Sequence, residues 1–438
     1  MADIPSSEHL RSALAELVAI PSVSLDPAHA GDMRAAADWV AARLAFANGR
    51  VVESDGHPVV LGERIVADDA PTVLVYGHYD VQPPGDETAW ETPPFEPSIR
   101  DGRLYGRGAT DDKGPVVVAL EASRASAGVN LRFLFEGEEE IGSPSLPRFL
   151  DEHRDELAAD LVASADGAMW RASEPSIAIA AKGLLGLDVE VAGPASDLHS
   201  GRHGGAVLNP NHALAEIVAS LHEADGRVAV PGFYDDVAEL SADDRDALRR
   251  IAFEDEAYRR ETGAPALHGE PSYSTLERLW TRPTIEVNEL RGGGAFTVIP
   301  SRASAHVTCR LVPDQDPDRV FQAIASHVAR LAPAAVRVSV EQQPGAVPAY
   351  AIASDHPAVV AARGALGTVY PEEAILVRIG GTLPAAVLFE RHLGLKTLLF
   401  SFSTADENLH APNEFFRLNR LDEGVAAWNE LFRRLALC

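Results

Sequence analysis

TVLVYGHYD, residues 72–80, is the stretch from which the fold can be read. Thr72 to Tyr76 form a short apolar run without polar alternation, the pattern of a strand covered on both faces, and Gly77-His78-Tyr79-Asp80 follows directly. Comparable runs follow, LRFLF at 131–135 and DLVASAD at 160–166, with a helical stretch at 115–127 between the first run and these. Strands alternating with helices predict an α/β layer, and ligands of such layers gather at the carboxyl ends of the strands. Ahead of it, Leu10, Leu14, Leu17 and Val18 recur at helical spacing, and a second amphipathic stretch runs through Trp39, Val40 and Leu44 to Asn48-Gly49, so two helices open the chain.

Beyond Lys182-Gly183 the texture changes. LDVEVAG at 187–193, TIEVNEL at 284–290, SAHVTCRLV at 304–312 and AVRVSVE at 335–341 alternate polar with apolar residues, as an antiparallel sheet with one covered face does. With helical stretches at 208–224 and 316–331 they predict an inserted α+β domain over residues 184–345. The α/β texture returns with a helix at 357–369, a strand KTLLFS at 396–401 and a terminal helix from about residue 420. The expected division is a catalytic domain in two parts, 1–183 and 346–438, around that insertion.

The 438 residues suffice for two hydrophobic cores. Thirty-eight Lys and Arg against 65 Asp and Glu give a formal charge of -27, which argues against nucleic acid or an anionic membrane as partner. Cys309 and Cys438 are the only cysteines, too few for a disulfide framework or a thiolate zinc site. The opening residues carry Asp3 and Glu8 and lack the basic head and apolar stretch of an export signal, and no apolar run approaches the length that crosses a bilayer. A cytoplasmic protein is expected.

Three segments concentrate chemistry. His78-Tyr79-Asp80 follows a strand, and in His-x-Asp the carboxylate can receive the second imidazole N–H; a capped turn at a strand end would look the same. In GRGATDDKG, 106–114, Asp111 and Asp112 precede a helix, where a carboxylate serves equally as an N-cap or as a metal ligand. EGEEEIGS, 136–143, crowds four carboxylates after the strand LRFLF; solvation or a bound cation would relieve their repulsion. Asp166 and His410 attract notice only in combination. Together His78, Asp111, Glu140, Asp166 and His410 offer imidazole and carboxylate but no thiolate, a set suited to zinc, manganese or cobalt.

In order, GHYDVQP, GRGATDDKG, EGEEEIGS, DLHSGRHGG and HAPNE resemble the dinuclear-zinc metallopeptidase family of carnosine dipeptidases, glutamate carboxypeptidases, aminoacylases and acetylornithine deacetylases, and are most similar to its carnosinase-like branch. The resemblance covers the chain from about residue 10 to its end. It implies a zinc-exopeptidase-like domain with a mixed central sheet flanked by helices and an inserted ferredoxin-like lid or dimerisation domain. It implies two divalent ions per subunit, zinc foremost: Asp111 bridging, His78 and Asp166 at one ion, Glu140 and His410 at the other, Asp80 orienting His78, and Glu139 as general base. A cis peptide between Asp111 and Asp112 is implied as well. In the insertion, His199 of DLHSG would reach the active site of the partner subunit of a homodimer, Arg310 would hold a substrate carboxylate, and Thr297, Gly381 and Thr382 would be further substrate contacts.

The sequence departs from that pattern at RIGGT, 378–382. Related dipeptidases commonly carry an acidic residue where Ile379 stands, and Ser where Thr382 stands. If the acid holds a free substrate amine, its loss puts aminodipeptidase specificity in doubt. The expected activity is metal-dependent hydrolysis of an amide in a small peptide, as a dipeptidase or carboxypeptidase, with an N-acyl amino acid deacylase as the alternative. A catalytically silent metal- or amino-acid-binding protein is the alternative of another class, against which Glu139 speaks, because a binding module needs no proton shuttle. No G-x-S-x-G elbow is present for a serine hydrolase.

Overall fold

Apolar side chains at both parities along Thr72–His78 require cover on both sides, and the computed structural model, which describes residues 5–126, 128–294 and 296–437, provides it. The chain forms two compact units. The first takes residues up to Ile179, Ile352–Val377 and the residues from Pro384 on; the second takes Ala180–Ala351 and Arg378–Leu383.

In the first unit the central strands lie in the order Arg50–Val52, Val59–Arg64, Asn130–Glu136, Thr72–His78, Leu161–Ser164, Thr397–Leu399. The inner four run parallel and the two at the start antiparallel, so the sheet is mixed. Leu74, Tyr76 and Leu134 point to one face, where Phe149 and Leu150 of the helix Leu146–Glu152 and Phe389 of the helix Pro384–Leu393 cover them. Val73, Val75, Phe133 and Phe135, on the other parity, are equally buried. Each such side chain contributes about 1.5–3 kcal/mol when removed from water. Gly77 is required on that second face: a Cβ there would stand 2.8 Å from both Val116 and the Asp112 carboxylate, so its absence lets the helix Gly114–Ala125 close on the strand end.

In the second unit Thr284–Arg291, Arg302–Leu311, Gly183–Ala192 and Arg337–Gln342 form an antiparallel sheet in that order. Burial alternates residue by residue. Leu185, Leu187, Val189 and Val191 join Ala305, Val307, Cys309 and Leu311 in a core completed by Leu214, Ile217, Ile324 and Val328 from the helices Pro210–Ala219 and Pro317–Leu331. Asp316 caps the latter by accepting from the amides of Asp318 and Arg319, with Pro317 in its first turn. The helix expected over 208–224 is shorter because Asn209 caps its start and the Ser220 hydroxyl donates to the Ile217 carbonyl at its end. Three short helices, Ala242–Arg250, Asp255–Thr262 and Thr275–Thr281, occupy a charged segment whose periodicity is too brief to announce them. Ala127, in the stretch predicted helical at 115–127, and Cys438 lie outside the described residues; among those described, no helix is long and apolar enough to cross a membrane.

Candidate metal centre

Parallel register brings three strand ends to one edge. Tyr76 pairs with Leu134 on one side and Ser164 on the other, so the segments that follow, with His78, Glu139-Glu140 and Asp166, emerge side by side. Asp111 enters from the turn preceding the helix Gly114–Ala125, and its peptide bond to Asp112 is cis, as the resemblance implies. His410 comes from the loop before the strand Phe415–Arg417, where Asn408, His410 and Asn413 all adopt positive φ. Strained backbone of this kind persists where surrounding bonds hold it. Here the Asn413 side chain accepts from the Glu91 amide at 2.8 Å and donates to the Ala89 carbonyl at 3.0 Å.

Two groups of donor atoms result, His78 with Asp111 and Asp166, and Asp111 with Glu140 and His410; within each group the atoms lie within 4.8 Å of one another. Asp111 belongs to both. Its Oδ1 lies 3.2 Å from His78 Nε2, its Oδ2 3.0 Å from His410 Nε2, and the latter nitrogen is 3.2 Å from Glu140 Oε2. His78 is fully buried and its Nδ1 lies 3.0 Å from the Asp80 carbonyl and 3.4 Å from the Asp80 carboxylate, an arrangement that leaves Nε2 as the ligating nitrogen. The Asp80 carboxylate also accepts from the amides of Glu139 at 3.3 Å and Glu140 at 3.1 Å, so one side chain ties two of the motifs together.

The electrostatics fit a cation. Burial raises the Asp166 carboxyl to about 6; His78 opposes the rise, while Asp111 and Glu140 reinforce it. Burial, then Asp166, holds Glu139 well above the ordinary carboxylate range. Hydrogen bonds to Asp111 and Glu140 raise His410 to about 10, and Asp111, despite burial, is held low by bonds to His410 and His78. Carboxylates this crowded either bind protons or bind positive charge, and oxygen with imidazole nitrogen is a donor set for divalent transition metals.

One residue of the site escaped the sequence. Glu414, fully buried, accepts from Arg107 at 2.7 Å and the Gly108 amide at 2.9 Å through one oxygen, and from the amides of Thr110 at 3.0 Å and Asp111 at 3.2 Å through the other. It thereby sets the backbone that carries the shared ligand. Its place at the end of HAPNE is the one signal that could have singled it out.

In the second unit, Leu198–His199 pairs with Val298–Ile299, the exposed His199 accepts from the Gly201 amide at 3.1 Å, and the Thr297 carbonyl accepts from Ser200, so Thr297 and the DLHSG segment adjoin. Arg310 donates to the Thr382 hydroxyl at 3.0 Å, and Gly381 faces open space.

Fold and donor geometry together define a metal-dependent hydrolase built on a mixed α/β sheet with an inserted α+β domain. The chain belongs to peptidase family M20/M25/M40, whose model matches residues 74–434. It is similar to the Cys-Gly metallodipeptidase dug1 of Schizosaccharomyces pombe, 30% identical with 97% of this chain and 94% of that protein covered, and to the human Beta-Ala-His dipeptidase, 30% identical over 86% and 78%. Among solved structures it resembles the M20 family metallo-carboxypeptidase Sso-CP2 from Sulfolobus solfataricus, with a TM-score of 0.86, 29% identity and coverage of 98% and 99%.

Proposed function

We propose that the protein is a cytoplasmic dipeptidase with two divalent ions, zinc foremost, for which Asp111 would be the shared ligand. The observation that carries this is the division of Asp111 between two donor groups, one oxygen toward His78 and one toward His410. His78 and Asp166 would hold one ion and Glu140 and His410 the other. Two ions held there would supply Lewis acidity toward the scissile carbonyl and lower the pKa of a bound water.

The chain's own groups do the rest. Glu139, a carboxylate next to the ligand Glu140, takes the proton from the attacking water and returns it to the leaving amine. Asp80 orients His78 and steadies the Glu139–Glu140 amides. Arg310, kept in place by Thr382, receives the substrate carboxylate, Thr297 and Gly381 flank the substrate, and His199 of the partner subunit in a homodimer donates toward the carbonyl oxygen. The names of the relatives, Cys-Gly and Beta-Ala-His dipeptidases, support dipeptides as the substrate class. Ile379 favours the second reading, an N-acyl amino acid deacylase, since no carboxylate stands at that position to meet a free amine.

A panel of dipeptides beside the matching N-acyl amino acids, offered to the metal-loaded enzyme, decides between them. Turnover of dipeptides at the higher kcat/KM is expected; preferential cleavage of the N-acyl series would overturn the dipeptidase assignment in favour of the deacylase.

A further inference from the structure

The second unit contains a cavity of about 720 Å3 that none of the roles above uses in full. It runs from Arg310 and Gly380 past Lys182 and Glu286 to Arg282 and Glu270. Strand register explains why these groups meet. Arg310 pairs with Thr284 on one side and Leu184 on the other, and all three belong to the parity facing away from the helices, as does Glu286 two residues on. Lys182 stands two residues before Leu184 and lines the same cavity.

The charges along this face are mostly answered. His306 lies 2.7 Å from Asp188, Thr308 donates to Asn288 at 2.7 Å, and Arg282 forms a two-point pair with Glu270 at 3.0 and 2.9 Å. Arg310 and Lys182 differ. Among the described residues neither has a carboxylate within ion-pair distance: Arg310 donates to a hydroxyl, and Lys182, only 6% exposed, donates to the Arg282 carbonyl at 2.7 Å. An ammonium so deeply buried with one neutral acceptor has two N–H donors left for a ligand. Burial and then Arg310 lower its pKa to about 8, against a smaller opposing influence of Glu286, so an anion arriving here would meet two cations in a low-dielectric cavity.

We propose that Lys182 forms a second anion subsite beside Arg310, and that together they select a leaving residue with two carboxylates, an aspartate or glutamate. The proposal rests on the assignment of Arg310 to the substrate α-carboxylate. A cavity of several hundred Å3 accommodates an amino acid with room to spare, and one ammonium beside one guanidinium matches two separate carboxylates.

The test pairs substrates that differ in one charge. The metal-loaded enzyme is expected to cleave Ala-Glu with kcat/KM about tenfold above Ala-Gln, the discrimination one charge-assisted hydrogen bond supports. Lys182→Gln should bring that ratio close to unity, and Lys182→Arg should keep most of it. Equal rates on the two peptides in the parent enzyme, or an unchanged ratio in Lys182→Gln, would overturn the proposal. Calorimetry with free glutamate and glutamine reads the subsite without turnover and without a variant. Tighter binding of glutamate sustains the subsite even if no dipeptide is cleaved, in which case the dipeptidase assignment alone is lost; equal binding refutes the subsite itself.

Discussion

The two units handle charge in opposite ways. At the strand ends of the first, Asp80, Asp111, Glu139, Glu140 and Asp166 are drawn together around the imidazoles of His78 and His410. On the open face of the second unit's sheet, acid and base alternate and mostly pair, while among the described residues the cavity's Arg310 and Lys182 have no carboxylate within ion-pair distance. A crowd of buried carboxylates destabilises a fold unless protons or cations answer it, whereas a half-exposed row of paired charges costs little and contributes little. The lesson concerns where binding chemistry shows itself. It lies where the local charge is left unbalanced, negative in one unit and positive in the other.

The comparison breaks most completely at Asp111. Asp111→Ala removes a ligand from both donor groups, so metal analysis is expected to find neither ion retained and turnover at background; two bound ions in an active variant would refute the shared-ligand arrangement. Glu139→Gln should lower kcat by about 10²- to 10⁴-fold while both ions stay bound, as measured by metal content beside initial rates. Loss of metal in that variant would instead make Glu139 a ligand. Asp80→Asn, which weakens the hold on His78 and on the Glu139–Glu140 amides, should reduce metal affinity about 10- to 100-fold in a chelator competition. At the positive pole, Arg310→Met should act mainly through KM, raising it roughly tenfold with metal content unaltered; a change confined to kcat would remove Arg310 from carboxylate binding.

Legibility followed the distance over which each feature is determined. Strands such as TVLVY and LRFLF were readable because burial on both faces needs a continuous apolar run, and the alternating strands of the insertion because one covered face leaves a period of two. His78, Glu140 and Asp166 could be proposed because each stands at or just beyond the end of such a run. Glu414 was not: its four partners lie about 300 residues earlier in the chain, and beyond its place in HAPNE no local pattern tells a carboxylate that accepts from a guanidinium and three amides from one that faces water. The helices between 242 and 281 are short and highly charged, and the second of them buries no side chain to mark a face.

By itself, the order of residues determined the alternation of strand and helix, the excess of negative charge, and the chemical identity of the groups able to hold a metal, since hydrophobic period and side-chain type are local properties. Only the tertiary structure decided that one carboxylate serves two imidazoles, that Asp80 reaches two backbone amides, and that Lys182 lies buried beside Arg310 without an acid. These depend on register and on contacts between segments far apart in the chain, where a shift of a single residue would turn each side chain to the opposite face.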